Sequence, residues 1–415
     1  MGGSGDRLVV APDRNPRGAA ADVPADGFVD RVRHRLVELG TIDELSSAQV
    51  AAAVRDQSAV FGDATVLDTA GAVLPELRGA GRLEAFLRDP DVTDVLVNGP
   101  DAVWIDRGNG LERTRLRFPD SGTLRRLAQR LAAVAGRRLD DACPYVDARL
   151  PHGVRLHAVL PPVAAGGPYV SLRVLRRRSF TLDELISAGS IPAAGADWLR
   201  AMVAARLAFL VSGGTGSGKT TVLSTLLSLA DPGERLVLVE DAGELRPDHP
   251  HVVRLEARPA NLEGAGAVTL RELVRQALRM RPDRLVVGEV RGGEVVDLLA
   301  ALNTGHEGGC GTLHANSPAD VPPRMEALGT AGGLERAAVH AQLAAAVSAV
   351  VHLARDRSGP RRISGLSVLR RDRDGLVVVV PAVDFRDARA VVVDPGGQVL
   401  ADLLAARGGA PCATS

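Results

Sequence analysis

Two spacings of apolar residues alternate along this chain, and they predict its elements. Between 28 and 61 the apolar positions Val32, Leu36, Leu39, Val50 and Val54 fall at helical intervals, so a small helical lead-in is expected. Short runs rich in β-branched residues at 92–97, 103–105, 154–160 and 170–174 predict strands, with an Asn98-Gly99-Pro100 turn between the first two. The breakers Pro161-Pro162 and Gly166-Gly167 separate the last two, and 124–134 has the period of an amphipathic helix. The charged stretch at 176–190 reads as a linker.

Beyond 206 the pattern changes to strict alternation. Strands are expected at 207–211, 236–240, 252–256, 285–288 and 311–314, with helices at 220–230, 270–280 and 294–303 between them. Such alternation implies a mainly parallel sheet covered on both faces. Two further strands, at 365–369 and 376–380, precede a Gly/Ala-rich tail. No repeat of solenoid period occurs. The expected division is a disordered start at 1–26, a helical lead-in at 27–70, an α/β domain at 71–175, a linker at 176–195, a second α/β domain at 196–402 and a flexible tail at 403–415.

A length of 415 residues agrees with two or three domains. Hydrophobic residues reach 46% while aromatics are only 3%, so Ala, Val and Leu must fill the cores. Lys+Arg and Asp+Glu both total 50, and this balance lacks the basic excess of a nucleic-acid binder. Cys143, Cys310 and Cys412 are odd in number and scattered, which fits a reduced, cytosolic compartment better than a disulfide scaffold. The start lacks the basic-then-apolar pattern of a leader. The richest apolar stretch, 341–353, is broken by Gln342 and His352 and is too short to span a membrane. Any membrane role is therefore expected to come through partners.

The chemistry begins at GGTGSGKT, which comprises Gly213, Gly214, Thr215, Gly216, Ser217, Gly218, Lys219 and Thr220, followed by Thr221. It matches G-x-x-x-x-G-K-[ST] between an expected strand and an expected helix. The glycines let backbone N–H groups turn inward onto phosphate oxygens, and the helix N-terminus adds its positive end. Lys219 is expected to reach the β- and γ-phosphates of ATP, and Thr220 to hold Mg²⁺ through its hydroxyl. Lys219 is also the sole lysine of the sequence. Arg is a wide planar fork and Lys a compact point charge, so a cradle of amides admits the second and not the first. The absence of any other lysine also excludes the N-K-x-D motif that reads guanine.

Three more segments follow the loop. The strand Leu285-Val286-Val287 runs through Gly288 into Glu289, a Walker B arrangement in which the acid orients Mg²⁺ partly through water. Between them Val237-Leu238-Val239 ends in Glu240-Asp241, where Glu240 is the candidate for polarising the attacking water. A solvated turn is the alternative for that segment. Lastly, TGHEGGCGTLHAN (304–316) places His314 after a strand, level with the other strand ends and able to sense the γ-phosphate. A zinc site from His306, Cys310 and His314 lacks a fourth ligand. His152, His157, His249 and His251 read as surface or turn residues.

In this order the four motifs resemble the type II/IV secretion system ATPase superfamily, with its Walker A, Asp box, Walker B and His box. LRMRPDRLVVGEVRGGE (278–294) is similar to that family's Walker B neighbourhood. DPDVTDVLVNGPDAVWIDRGNG (89–110) and VDARLPHGVRLHAVLPP (146–162) resemble the N-terminal domain of its Tad/Flp pilus and conjugal-transfer-type branch, and YVSLRVLRRRSFTLDELI (169–186) its interdomain linker. The resemblance implies an α/β fold with a RecA-like P-loop ATPase domain preceded by a smaller α/β domain. It also implies homo-hexamers, with nucleotide between the two domains of a subunit and domain rotation on hydrolysis. Arginines of the first domain and linker reach the phosphates in such enzymes; Arg155 and Arg173 are the candidates here, with Arg149 and Arg176 as substitutes. The sequence departs from the family at His152, where Asp is common, and lacks the four-cysteine zinc element of the type II secretion branch. Its final strands match nothing in the pattern.

The resulting expectation is a cytoplasmic ATPase, peripheral at the inner face of the cell membrane, that drives pilus assembly or protein secretion through an inner-membrane platform protein. The alternative is a nucleic-acid-translocating RecA-like motor, although no direct nucleic-acid contact is expected from the charge balance. A degenerate nucleotide-binding subunit is the third reading, and the reactive residues retained in all four motifs weigh against it.

Overall fold

A computed structural model describes residues 79–409 apart from 109, 151–152, 175–178, 259, 261–264, 356–360, 387–390 and 394, together with helical positions within 28–73. The expected disordered start, His152, Arg176 and Cys412 lie outside the described residues. The chain divides into two compact units, Met1–Val174 and Leu175–Ser415.

The first unit holds helices α1 (Ser47–Gln57), α2 (Glu84–Arg88) and α3 (Ser121–Val134) and strands β1 (Asp94–Asn98), β2 (Val103–Asp106), β3 (Leu111–Arg113), β4 (Tyr145–Arg149), β5 (Arg155–Val159) and β6 (Tyr169–Arg173). The strands form an antiparallel sheet in the order β3-β2-β1-β6-β5-β4. Alternation sends Val95, Val97, Leu156, Ala158, Val170 and Leu172 into one core with Leu124, Leu127 and Leu131 of α3. That helix starts where Asp120 accepts the N–H of Thr123. The opposite parity carries charge. Arg155 stands in register with both Arg149 and Arg173, and Arg173 in register with Asp94, so three arginines form a row across three strands.

The second unit contains β7 (Phe209–Gly213), β8 (Leu236–Glu240), β9 (Val252–Glu256), β10 (Arg284–Val287), β11 (Cys310–His314), β12 (Ala349–Arg355), β13 (Arg361–Arg371), β14 (Val377–Asp384) and β15 (Val391–Val392). Its helices are α4 (Leu182–Ser187), α5 (Ala193–Ala204), α6 (Lys219–Leu227), α7 (Leu270–Ala277), α8 (Glu294–Leu302), α9 (Val321–Ala331), α10 (Arg336–Ala346) and α11 (Gly396–Ala405). One sheet runs β15-β14-β13-β12-β7-β11-β10-β8-β9, parallel from β12 to β9 and antiparallel beyond β12. The strand β11 lies between β7, which leads into the glycine-rich loop, and β10, which leads to Glu289, the strand order of a RecA-like core. Strands β7, β8 and β10 are buried throughout, because helices cover both faces. Phe209, Val211 and Leu238 pack with Val222, Leu223 and Leu226 of α6. Leu210, Val237, Val239 and Val287 pack with Val274 of α7 and with Val295 and Leu298 of α8. Every parallel strand therefore ends at one edge of the sheet.

The stretches read as a linker and as a loose tail carry helices instead. Residues 182–187, inside the stretch read as a linker, form α4, capped by Thr181, which accepts the N–H of Glu184 and donates its own N–H to the Glu184 carboxylate. The Gly/Ala-rich end carries α11, whose Leu400 and Leu404 reach the core of the second unit.

Candidate functional site

The loop 214–218 leaves β7 at Gly213 and enters α6 at Lys219. Gly213 has φ +156°, and a Cβ there would lie 2.7 Å from Ser217 Oγ and 2.8 Å from the carbonyl oxygen of Leu353. No side chain fits, so the glycine is required by packing as well as by conformation. Gly218 caps α6 from the left-handed region at φ +96°. Thr215 and Gly216 are exposed at the loop tip and Gly214 is half-buried, whereas Ser217 is buried with an Oγ that meets no partner. A buried orphan hydroxyl beside a nest of helix-terminal amides is what an anion-binding cradle leaves when only protein atoms are counted.

Lys219 is buried, and its Nζ donates to the carbonyl oxygens of Gly213 at 3.1 Å and Gly214 at 2.9 Å. Burial lowers its pKa, and the Glu289 carboxylate opposes that shift. Its neighbour Thr220 is half-buried in the first turn of α6, and the carbonyl of Thr221 accepts from Thr225 Oγ1.

His314, the last residue of β11, joins this lysine to Glu289. Its Nδ1 lies 3.4 Å from Lys219 Nζ and its Nε2 lies 3.1 Å from Glu289 Oε1. Lys219 can only donate, so these partners assign Nδ1 as the acceptor and Nε2–H as the donor to Glu289. Burial, then the nearby Lys219 cation, holds the imidazole below its ordinary pKa, with Glu289 pulling the other way. The result is a neutral histidine relaying between a cation and a carboxylate.

Glu240 ends β8 and is 3% exposed, whereas Asp241 at the start of the turn that follows is exposed. Its Oε1 accepts the N–H groups of Glu244 and Leu245, each at 2.9 Å, while Oε2 is buried without a partner. Burial raises its pKa. A Cβ on Gly288 would lie 2.7 Å from Glu240 Cγ, so the glycine preceding Glu289 lets the two acid-bearing segments approach. Thr312 Oγ1 donates to the Gly288 carbonyl at 2.6 Å and ties β11 to the same turn.

The structure thus gathers Lys219, Glu240, Glu289 and His314 at one edge of the second unit's sheet. Asp241 instead pairs with Arg291 at 2.5 Å. His306 lies 3.3 Å from the Pro282 carbonyl, and the buried Cys310 thiol is pushed up to about 12. Among the described residues no group of three His, Cys, Asp or Glu could hold a metal ion, so the zinc reading has no site there. Arg155 and Arg173 belong to the arginine row of the first unit, where Arg173 Nε donates to Asp94 at 3.0 Å. His157, His249 and His251 are exposed or half-buried outside the strand-end group.

Sequence reasoning missed Arg291 and Glu294. The Glu294 carboxylate accepts the N–H groups of Arg291 and Gly292 at 2.7 Å each, and so fixes the turn that follows Glu289. An acid in the first turn of an expected helix was the available signal. The residues present fit a nucleoside triphosphate with Mg²⁺: an amide-lined loop, one compact cation, and the hard oxygens of Thr220 and Glu289. So sparse a protein donor set suits an ion that keeps several waters.

Residues 76–370 match the family model described as type II/IV secretion system protein. A putative conjugal transfer protein of Mycobacterium tuberculosis is 60% identical over 318 residues, covering 75% of this chain and 90% of that protein. The type IV secretion system protein PtlH of Bordetella pertussis is 36% identical over 258 residues, 57% of this chain and 76% of that protein. Among solved structures, the VirB11 ATPase of the Brucella suis type IV secretion system is 28% identical, with a TM-score of 0.37, covering 69% of this chain and 92% of that one. Among the described residues no helix is long and apolar enough to cross a membrane.

Proposed function

Because the chain belongs to the type II/IV secretion system protein family, we propose that it is a cytoplasmic ATPase whose turnover drives pilus assembly, protein secretion or conjugal transfer through an inner-membrane machine, working as a hexameric ring. The Tad/Flp-like motifs of the first unit favour the pilus-assembly form of this reading. The observation that carries it is the alignment Lys219–His314–Glu289 beside the buried Glu240, all at the mouth of the phosphate loop.

In this reading the amides of 213–219 and the Lys219 cation bind the phosphates, which places the leaving and transferred groups in a fixed geometry. Thr220 and Glu289 hold Mg²⁺, whose charge offsets that of the phosphates when bound. Glu240 accepts the proton of the attacking water at Oε2, the oxygen that no protein group occupies; its burial makes it a stronger base. His314 keeps Glu289 oriented and reads the position of Lys219. From the first unit, Arg155 and Arg173 add positive charge to the assembly that turns over ATP.

The discriminating experiment is the phosphate-release rate with and without single-stranded or duplex DNA. The secretion reading expects the rate to be unmoved by either. Strong stimulation by DNA would replace it with a nucleic-acid-translocating motor.

A further inference from the structure

Strand β12 runs parallel to β7 with Leu353 opposite Gly213. Two residues on, with the parity of Leu353, Arg355 extends beyond the end of β7 to the level of the loop. Its Nη1 lies 3.6 Å from the point where a Cβ of Gly216 would stand. On the neighbouring strand β13, Arg361 is in register with Arg355, and its Cδ lies 3.7 Å from the corresponding point of Gly218. Leu353 belongs to the core that includes Val222 and Leu223, so this face of the β12–β13 pair is the one on which α6 rests.

The loop therefore gathers positive charge from three sources: Lys219, the amides of the α6 N-terminus, and a guanidinium from an adjacent strand. Arg355 is exposed, and among the described residues it forms no ion pair or hydrogen bond. Ser217 Oγ, on a residue only 2% exposed, also lacks a partner in the same loop. Like charges assembled this closely favour an anion among them. A guanidinium offers a planar pair of donors that matches two phosphate oxygens.

We propose that Arg355 is a further phosphate-contacting residue, supplied by the β12–β13 pair, that binds the nucleotide together with the loop. This assignment rests on the ATPase reading and extends it to a residue outside the four motifs. It also gives strand β12, which carries none of the four motifs, a role at the site.

The test is isothermal titration of ADP into the full chain, comparing wild type with R355Q, R355K and R370Q. Arg370 is exposed near the other end of β13 and serves as the control. Loss of one charge-assisted contact should weaken ADP binding by about tenfold in R355Q. R355K should fall between, R370Q should match wild type, and the thermal transition without nucleotide should be the same in all four. Equal ADP affinity in R355Q and wild type would overturn the proposal, and so would an R355Q loss matched by R370Q or accompanied by a lower thermal transition. A wild-type chain that fails to bind ADP would instead remove the ATPase reading itself.

Discussion

Replacing Glu240 by Gln separates its chemistry from its structural work. The Gln carbonyl can accept the same two N–H groups, from Glu244 and Leu245, that now meet Oε1 at 2.9 Å. Its amide nitrogen then occupies the position of Oε2, which has no protein partner. Folding should survive, because nothing the backbone needs is removed. Replacement by Ala instead orphans both N–H groups at about 1–3 kcal/mol each, so E240A should lose roughly 2–6 kcal/mol of stability. Removing a general base lowers turnover by roughly 10²–10⁴-fold, which is about 3–5 kcal/mol in the barrier. The two variants should therefore share a loss of kcat and differ in their urea midpoints. pH adds a second check. The folded-state carboxyl titrates above its unfolded value, so between the two values the folded chain holds a proton that the unfolded chain has released. The wild type loses that contribution as pH rises through the interval, and E240Q should gain relative to wild type above it and not below. Wild-type kcat in E240Q would refute the base assignment, and a fall in its urea midpoint as large as that of E240A would refute the structural half.

Other residues yield shorter tests. His314 is held below its ordinary pKa of 6.5, so turnover should be flat near neutrality and fall only as pH drops through that lowered value; a pH–rate profile of H314N should lack this acid limb. In E234A the guanidinium of Arg284, only 1% exposed, keeps the Val203 carbonyl and loses its carboxylate partner, so urea unfolding should show a loss of about 3–5 kcal/mol. In the doubly substituted chain R155Q/R173Q, the exposed pair of Arg173 with Asp94 accounts for a stability change of no more than about 1 kcal/mol by calorimetry. Turnover should fall in that chain if the arginine row serves the reaction.

The parallel half of the second sheet was legible because buried strands alternate with helices at regular intervals, and β8 and β9 coincide with the expected 236–240 and 252–256. The glycine-rich turn between β7 and α6 was legible because its glycines answer a local demand, visible in the clash a Cβ at Gly213 would meet. Strand β12 was not. Its residues 349–353 lie in the stretch weighed as a membrane-like segment, since a strand run buried on both faces has no alternation to display. The capping pair Thr181 and Glu184 announced α4 in the sequence, but the surrounding charges read as a linker. The site's chain from Lys219 through His314 to Glu289 depends on the strand order β7-β11-β10, which places residues 95 positions apart side by side. No spacing rule along the sequence carries that information. Arg355 escaped for the same reason, because only the register of β12 against β7 brings it to the loop.

The most direct test of the account is Lys219→Arg, which returns the chain's sole lysine to the residue used for basic charge everywhere else. Positive charge is kept, while a compact ammonium donating to two loop carbonyls is replaced by a wide planar fork. Measured as phosphate release from ATP with Mg²⁺, the wild-type chain should turn over and K219R should not, with unchanged circular dichroism. Phosphate release by K219R at the wild-type rate would contradict the claim that this loop is where ATP is hydrolysed.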